Sequence, residues 1–282
     1  MSEENANGCD GASNAGLKPA YEEPHRLSHI GRVIAVMSGK GGVGKSTVTA
    51  LLAVELARRG YSVGILDADI TGPSIPKMFG LTDRAVGVEE GIMASITRRW
   101  GIRVMSMNLV LKREDEAVIW RGPLIGGVIK QFWKDVIWGD VDYLLIDLPP
   151  GTGDAPLTVM QSIPVSGLIA VSSPQDLAVM VVKKALHMAQ VMEVPVMGRV
   201  ENMTYVTCPK CGDKIYVFGE PQGVLVSDGG QVPLLAALPL DPQLSRLADA
   251  GKIEDYVPAG FDGFAALWNK EPSKADEGFA GR

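Results

Sequence analysis

A doubly wound α/β fold, with a mostly parallel sheet flanked by helices, is predicted by three features of the sequence. Short apolar runs at Val33 to Met37, Tyr143 to Ile146 and Gly167 to Val171 have the length and unbroken hydrophobicity of strands buried on both faces. Helical patterns separate these runs, and strands alternating with helices imply parallel pairing through crossovers. The first run also leads through a glycine-rich turn into a Gly- and Pro-free stretch, Thr47 to Arg59. Strand, glycine-rich loop and helix in that order form a phosphate-binding unit.

Composition sets the outer limits. The 282 residues suit one large domain with a small insertion, and 46% hydrophobic against 21% charged residues describes an ordinary globular core. A net charge of −6 argues against a nucleic-acid platform. No apolar run approaches the ~20 residues of a membrane span, so no membrane partner is expected. Three cysteines are too few for a disulfide scaffold, and the polar N-terminus has no apolar signal segment, so a cytoplasmic location is expected.

In chain order, residues 1–30 read as a flexible tail, 31–270 as a single domain, and 271–282 as a disordered C-terminal tail. A second strand, Ser62 to Leu66, ends at the acidic stretch D-A-D-I-T-G-P-S. Val86 to Leu111 is irregular and reads as a small β-hairpin excursion. Leu124, Val128, Phe132, Val136 and Ile125, Ile129, Trp133, Ile137 form two rows at spacing four, a helical stripe assigned to the core. The strand ending at Asp147 is followed by the rigid turn L-P-P-G-T-G-D. Strands at Gly167 to Val171 and Val194 to Val200 flank a helix over Asp176 to Met192. A last strand at Leu234 to Leu238 precedes a helix with Leu244 and Leu247, and Phe261 to Trp268 reads as a closing helix.

Ser38 to Thr47 reads S-G-K-G-G-V-G-K-S-T and matches G-x-x-x-x-G-K-[ST]. Gly39, Gly41, Gly42, Val43 and Gly44 direct backbone N–H groups toward phosphate oxygens, and the following helix adds its positive dipole end. Lys45 is the lysine of the β- and γ-phosphates, and Ser46 is the expected Mg²⁺ ligand, with Thr47 opening the helix. Asp147, at the end of a buried strand, is the expected carboxylate holding a metal-bound water. Asp67 and Asp69 lie two apart, on one face of an extended segment; either can orient an attacking water or help the metal, and helix capping is the plainer alternative. Gly151 has no side chain to block its N–H, which suits a γ-phosphate contact that distinguishes ATP from ADP. Lys40 is a second lysine inside the loop, placed either as a transition-state finger, with a partner subunit's nucleotide in reach, or as an exposed loop residue.

Cys208-Pro209-Lys210-Cys211-Gly212 falls within a metal loop bounded at 203–218. Two thiolates make half of a four-ligand site, and a two-fold dimer would bring four to its axis. Four cysteines suit a [4Fe–4S] cluster and one zinc equally, and a redox pair is a third reading.

The motifs together resemble a known family. G-K-G-G-V-G-K-S-T with its early lysine is similar to the deviant P-loop ATPases, which include the nitrogenase iron protein and the division-site and partition ATPases. D-A-D-I-T-G-P-S-I-P at Asp67 to Pro76, W-R-G-P at Trp120 to Pro123, D-L-P-P-G-T-G-D at Asp147 to Asp154 and E-N-M-T-Y-V-T-C-P-K-C-G at Glu201 to Gly212 resemble the Mrp/ApbC iron–sulfur carrier branch. That resemblance implies a slow, dimer-dependent ATPase that binds ATP and Mg²⁺ as a homodimer, with Lys40 crossing to the other subunit's nucleotide. It implies Asp69 as the water-orienting carboxylate, and Asn202 with Pro239 to Asp241 at the adenine. It favours a [4Fe–4S] cluster at Cys208 and Cys211, shared between subunits and passed to apo iron–sulfur proteins. The alternatives are a positioning ATPase switch and a zinc-bridged dimeric ATPase. Only Cys9 lies in the N-terminal tail, so a four-cysteine N-terminal cluster is not expected.

Overall fold

The computed structural model describes residues 21–264, apart from 70–71, 73, 111–121, 175, 222–223, 228–229 and 259. Trp120 and Arg121, Cys9, the far C-terminal tail and most of the expected closing helix lie outside the described residues.

Strand β1 (His29–Ser38) leads into helix α1 (Lys45–Arg58), then β2 (Val63–Asp67) and the short α2 (Ile75–Met78). The expected hairpin excursion is present as β3 (Val86–Val88) and β4 (Gly91–Met93), but it is only part of that stretch. Strands β5 (Ser95–Ile96) and β6 (Arg103–Ser106) follow, and β6 joins the main sheet parallel to β2. Helix α3 (Gly122–Asp135) ends where β7 (Val136–Ile137) begins, so the last members of the apolar rows are strand residues that pair with β4. Strand β8 (Asp140–Asp147), α4 (Asp154–Ser162), β9 (Gly167–Ser172), α5 (Asp176–Val191) and β10 (Val196–Glu201) continue the alternation. The small hairpin β11 (Val206–Thr207) and β12 (Lys214–Ile215) precedes β13 (Val224–Ser227), β14 (Gly230–Ala237) and α6 (Pro242–Asp249).

The main sheet has the order β13-β14-β10-β9-β1-β8-β2-β6-β5. Its seven inner strands are parallel, and the antiparallel β13 and β5 close the two edges. Alternation along β1 divides the core. Val33, Ala35 and Met37 pack with Ile129, Trp133 and Met160 from α3 and α4 and with Leu186 from α5. Ile34 and Val36 pack on the other face with Val48, Leu51 and Leu52 of α1. Helices therefore cover both faces, as in a doubly wound sheet. The helical stripe is core: Ile129, Phe132, Trp133 and Val136 are buried.

Residues 21–28, read from sequence as tail, are tied to the domain. The Glu22 N–H donates to the Ser162 carbonyl, Trp133 Nε1 donates to the Glu22 carbonyl, and His25 Nε2 donates to the Glu90 carbonyl, each at 2.8 Å. No helix among the described residues is long and apolar enough to cross a membrane.

Candidate functional site: a phosphate-binding loop and a cysteine hairpin

The glycine-rich loop leaves the central strand β1 at the carboxyl edge of the sheet, where doubly wound sheets bind ligands. Gly42 and Gly44 both have φ of 80°, a left-handed backbone that glycine adopts without penalty. At Gly44 an added Cβ would also collide with the Asn202 side-chain amide. That amide donates from Nδ2 to the Val43 carbonyl at 3.0 Å and holds the crest of the loop against the end of β10. Ser38 Oγ donates to the Lys40 carbonyl at 3.0 Å, which fixes the loop's first turn. A cavity of about 260 Å³ lies under the loop. Ser38, Gly41, Gly42, Gly44, Lys45, Ser46 and Thr47 bound one side, and Asp69, Gly72, Ser74 and Pro150 the other. Lys40 is not part of that wall. A larger hollow of about 590 Å³ between α4 and α5 is walled by Leu157, Met188 and Val191 with Thr152, Lys183, Lys184 and His187. The glycine-rich loop bounds only the smaller of the two, which makes that cavity the candidate phosphate site.

Strand register brings the carboxylates to the loop. Val36 pairs with Asp147 across β1 and β8, and Asp67 pairs with Asp147 across β2 and β8. Asp147 is the hub. Its Oδ1 lies 2.8 Å from Lys45 Nζ and accepts from Thr49 Oγ1 at 2.9 Å, while its Oδ2 accepts from Ser46 Oγ at 2.5 Å. Lys45 Nζ is 3.9 Å from Asp69 Oδ2. The Lys45 and Asp147 side chains are 6% and 1% exposed, so this ion pair is buried. The hydroxyl of Ser46 beside the Asp147 carboxylate is a hard-oxygen donor pair, which fits Mg²⁺ and its retained waters. Gly151 has φ of 93°, and its N–H donates to the Ser38 carbonyl at 2.8 Å. A phosphate contact by Gly151 requires that bond to open.

Asp67 sits fully buried one strand over. Burial first, and then the Asp147 charge, push its carboxyl up to about 8, against the opposing pull of Lys45, the Ser106 hydroxyl and the Asp69 N–H. Unfolded, the group titrates near 3.8, so between 3.8 and about 8 folding takes up a proton and stability falls as pH rises. Above about 8 the dependence is flat. Asp67→Asn imitates the protonated acid. Thermal melts of the nucleotide-free protein at pH 5 and pH 8 should therefore differ by several degrees less in the variant than in the wild type. An unchanged difference would assign the pH dependence to another group.

On the opposite rim the ends of β10 and β14 run side by side. The Leu238 N–H donates to the Glu201 carbonyl, the Thr204 N–H to the Leu238 carbonyl and the Leu240 N–H to the Tyr205 carbonyl, each at 2.8 Å. This juxtaposes Asn202 with Pro239 to Asp241. Asp241 caps α6: Oδ1 accepts from the Gln243 N–H at 2.8 Å, and Oδ2 accepts from the Tyr256 hydroxyl at 2.9 Å. Burial and the Asp241 carboxylate both push the Tyr256 phenol upward, which keeps it a donor. Asp241 thus orients the rim through its helix cap.

Cys208 and Cys211 lie at the turn of the β11–β12 hairpin, away from the phosphate cavity. The Cys208 N–H donates to the Asp213 carbonyl at 2.8 Å, and the Gly212 N–H to the Cys208 carbonyl at 2.9 Å, with Gly212 at φ of 79°. Backbone N–H groups of Cys211 first, then Lys210, point at the Cys208 sulfur and hold its thiol below the ordinary cysteine range. Cys211 Sγ lies 3.2 Å from Asp213 Oδ2. Among the described residues no group of three or more His, Cys, Asp and Glu side chains is gathered for one metal.

Three contributors to the geometry of the candidate site escaped the sequence reading. Thr49 is one turn beyond Lys45 on α1, and that spacing of four was the available signal. The proton held by Asp67, and the Ser106 hydroxyl donating to its Oδ2 at 3.1 Å, depend on strand register and had no local signal.

A glycine-rich loop on the central strand of a parallel sheet, with a buried lysine–aspartate pair behind it, defines a P-loop nucleotide-binding protein. The family model described as NUBPL iron-transfer P-loop NTPase, of the ParA group, matches residues 29–259. The chain belongs to this iron–sulfur cluster carrier family of P-loop NTPases. It is 46% identical over 257 residues to the iron-sulfur cluster carrier protein of Clostridium perfringens, covering 89% of this chain and 88% of the relative. It is 45% identical to that of Methanocaldococcus jannaschii, covering 80% and 78%. Among solved structures it is similar to a nucleotide-binding protein in complex with ADP from Archaeoglobus fulgidus, with TM-score 0.71 and 48% identity over 83% of this chain and 91% of that one. The cell division ATPase MinD of Pyrococcus furiosus, at 24% identity and TM-score 0.58 over 84% and 95% of the two chains, shares the fold.

Proposed function

We propose that the protein is an ATP-hydrolysing carrier that holds a [4Fe–4S] cluster between two copies of the chain and passes it to apo iron–sulfur proteins. One observation carries this reading: a thiol pair on a surface hairpin, one sulfur already receiving backbone N–H groups, with too few ligands around it among the described residues to close a metal site. N–H groups aimed at sulfur stabilise the thiolate that ligates iron, and two chains supply the four thiolates a cluster needs. The names carried by the relatives support the same assignment.

In this reading the backbone of Gly39 to Gly44, Lys45 and Thr47 hold the triphosphate, and Asn202 with Pro239 and Asp241 frames the adenine. The Ser46 hydroxyl would hold Mg²⁺ directly and Asp147 through a water; the metal supplies charge neutralisation on the phosphates. Asp69 orients the attacking water. Gly151 exchanges its Ser38 carbonyl for the γ-phosphate, and Lys40 reaches the partner's nucleotide. Hydrolysis is slow and requires the dimer.

Anaerobic reconstitution with iron and sulfide tests the cargo assignment. The wild type should take up about four irons per dimer, as one cubane cluster requires. The Cys208→Ala/Cys211→Ala variant should take up none while its nucleotide affinity stays unchanged. Equal iron in both proteins, or retention of zinc alone, would overturn the carrier reading.

A further inference from the structure

The hairpin that bears the cysteines leaves much apolar side chain in water. Ile215, Val217 and Phe218 are 53%, 58% and 50% exposed, and all lie within ten residues of Cys208. Tyr216, between them, packs edge-on against Tyr205 at 5.9 Å between ring centroids, and Lys214 Nζ sits 4.5 Å from the Tyr205 ring centre. The hairpin is thus anchored to its own chain through Tyr216 and Lys214, while the residues on either side of Tyr216 stay uncovered. Clustered exposed apolar side chains at a functional loop mark a contact surface.

We infer that Ile215, Val217 and Phe218 form a seal that packs against the same residues of a second copy of this chain and closes the shared cluster site from water. The inference rests on the carrier reading of Cys208 and Cys211. Two observations select a second copy as the occupant. Among the described residues no third ligating side chain is gathered beside the cysteine pair, and a second copy of the same pair supplies the two further thiolates of the proposed cluster site. The hairpin's charges also nearly cancel. Lys210 and Lys214 stand against Asp213, a net of +1, so the surface can meet its own image across a two-fold axis with little repulsion. A partner selected by charge would instead face a hairpin with one dominant sign.

The seal has a chemical purpose. Cluster stability and potential depend on how far solvent reaches the sulfurs, and apolar side chains around a metal site control that access. Cys211 is exposed and Cys208 half-exposed in the single chain, so the cover must come from association.

The test uses the full chain with Val217→Ser/Phe218→Ser, and with Phe218→Leu as the conservative variant. Each is reconstituted anaerobically, then challenged with an iron chelator, and its mass is followed by sedimentation. The serine variant should lose iron about tenfold faster, and its cluster-loaded dimer should dissociate at about tenfold higher concentration, as expected when apolar area leaves an interface. Melting temperature and nucleotide affinity of the cluster-free protein should not change, because the substituted side chains are exposed. Phe218→Leu should behave as the wild type. A serine variant with wild-type cluster lifetime and dimer mass would overturn the seal. If transfer to an apo-protein slowed while cluster lifetime held, the surface would be a recipient dock, and the seal would again be overturned. A wild type that takes up no iron through Cys208 and Cys211 would instead remove the carrier reading itself.

Discussion

Lys40→Ala should keep nucleotide affinity near wild type and lose ATP hydrolysis by on the order of 10³-fold, the lower bound for a cationic finger acting on phosphoryl transfer. In the proposed site Lys45 is the phosphate-binding lysine: it is buried and faces Asp147 and Asp69 beside the cavity. Lys40 does not line that cavity in its own chain, although it sits in the same loop. A cation so placed does little for phosphates bound in cis, and in the proposed dimer it would act on the nucleotide bound by the second copy. Mixing variants separates the two arrangements. Lys40→Ala and Asp69→Asn are each expected to be inactive alone. If Lys40 acts on the partner's nucleotide, the mixed dimer has one site with both residues intact and one with neither. An equal mixture should then recover about a quarter of wild-type activity, since half the dimers are mixed and half their sites are whole. A lysine acting within its own chain gives no recovery. Unchanged turnover in Lys40→Ala would sink the finger role altogether.

Asp147→Asn should destabilise the nucleotide-free protein by about 3–5 kcal/mol, the usual cost of leaving one member of a buried ion pair without its counterion. The change removes the charge facing Lys45 at 2.8 Å and disturbs the hydroxyls of Ser46 and Thr49 that donate to the same carboxylate. Asp69, at 3.9 Å from Lys45, offsets part of the loss and favours the lower end of that range. For a domain of this size the fall in Tm should be on the order of 10 °C. Nucleotide should restore part of it, because phosphate oxygens take the carboxylate's place beside the ammonium. A melt within 2 °C or so of wild type, measured without nucleotide, would mean that water already reaches Lys45 and screens the pair.

Much of this architecture was readable because its signals are local. The glycine loop, the buried runs of β1, β8 and β9, and the two apolar rows that hold Phe132 and Ile129 with Trp133 each announce themselves within a dozen or so residues. What escaped depends on partners distant in the chain. Arg103 to Ser106 is only four residues, with polar ends, and becomes a sheet strand because Gly64 to Asp67 pairs with it. The antiparallel edge formed by Val224 to Ser227 depends on β14 in the same way. Residues 21–28 are polar enough to read as tail, yet Trp133 and Ser162 hold their backbone. In the site, the residue types at Lys45, Ser46 and Asp147 were legible from spacing. The raised proton affinity of Asp67 was not, because it arises from full burial and from the Asp147 carboxylate, brought beside it by two strands ending at the same level. The thiol pair was legible, whereas the N–H groups trained on Cys208 follow from a turn whose shape no residue pattern dictates.

Asn202 joins the two halves of the molecule's chemistry. Its amide holds Val43 at the crest of the phosphate loop, and six residues later the chain reaches Cys208. Between them Met203 takes a left-handed backbone with φ of 60°, and Thr204 is locked by its N–H to Leu238 and its hydroxyl to Glu201. In the proposed carrier this short tether is the route by which a shift of Val43 would reach the sulfurs. Thermodynamics makes such a connection run both ways. In the proposed carrier, whatever factor ATP imposes on the affinity for the cluster, the cluster must impose on the affinity for ATP. A loaded protein and an empty one would then sample the cell's ATP and ADP differently, and the nucleotide bound at any moment would report whether there is a cluster to deliver.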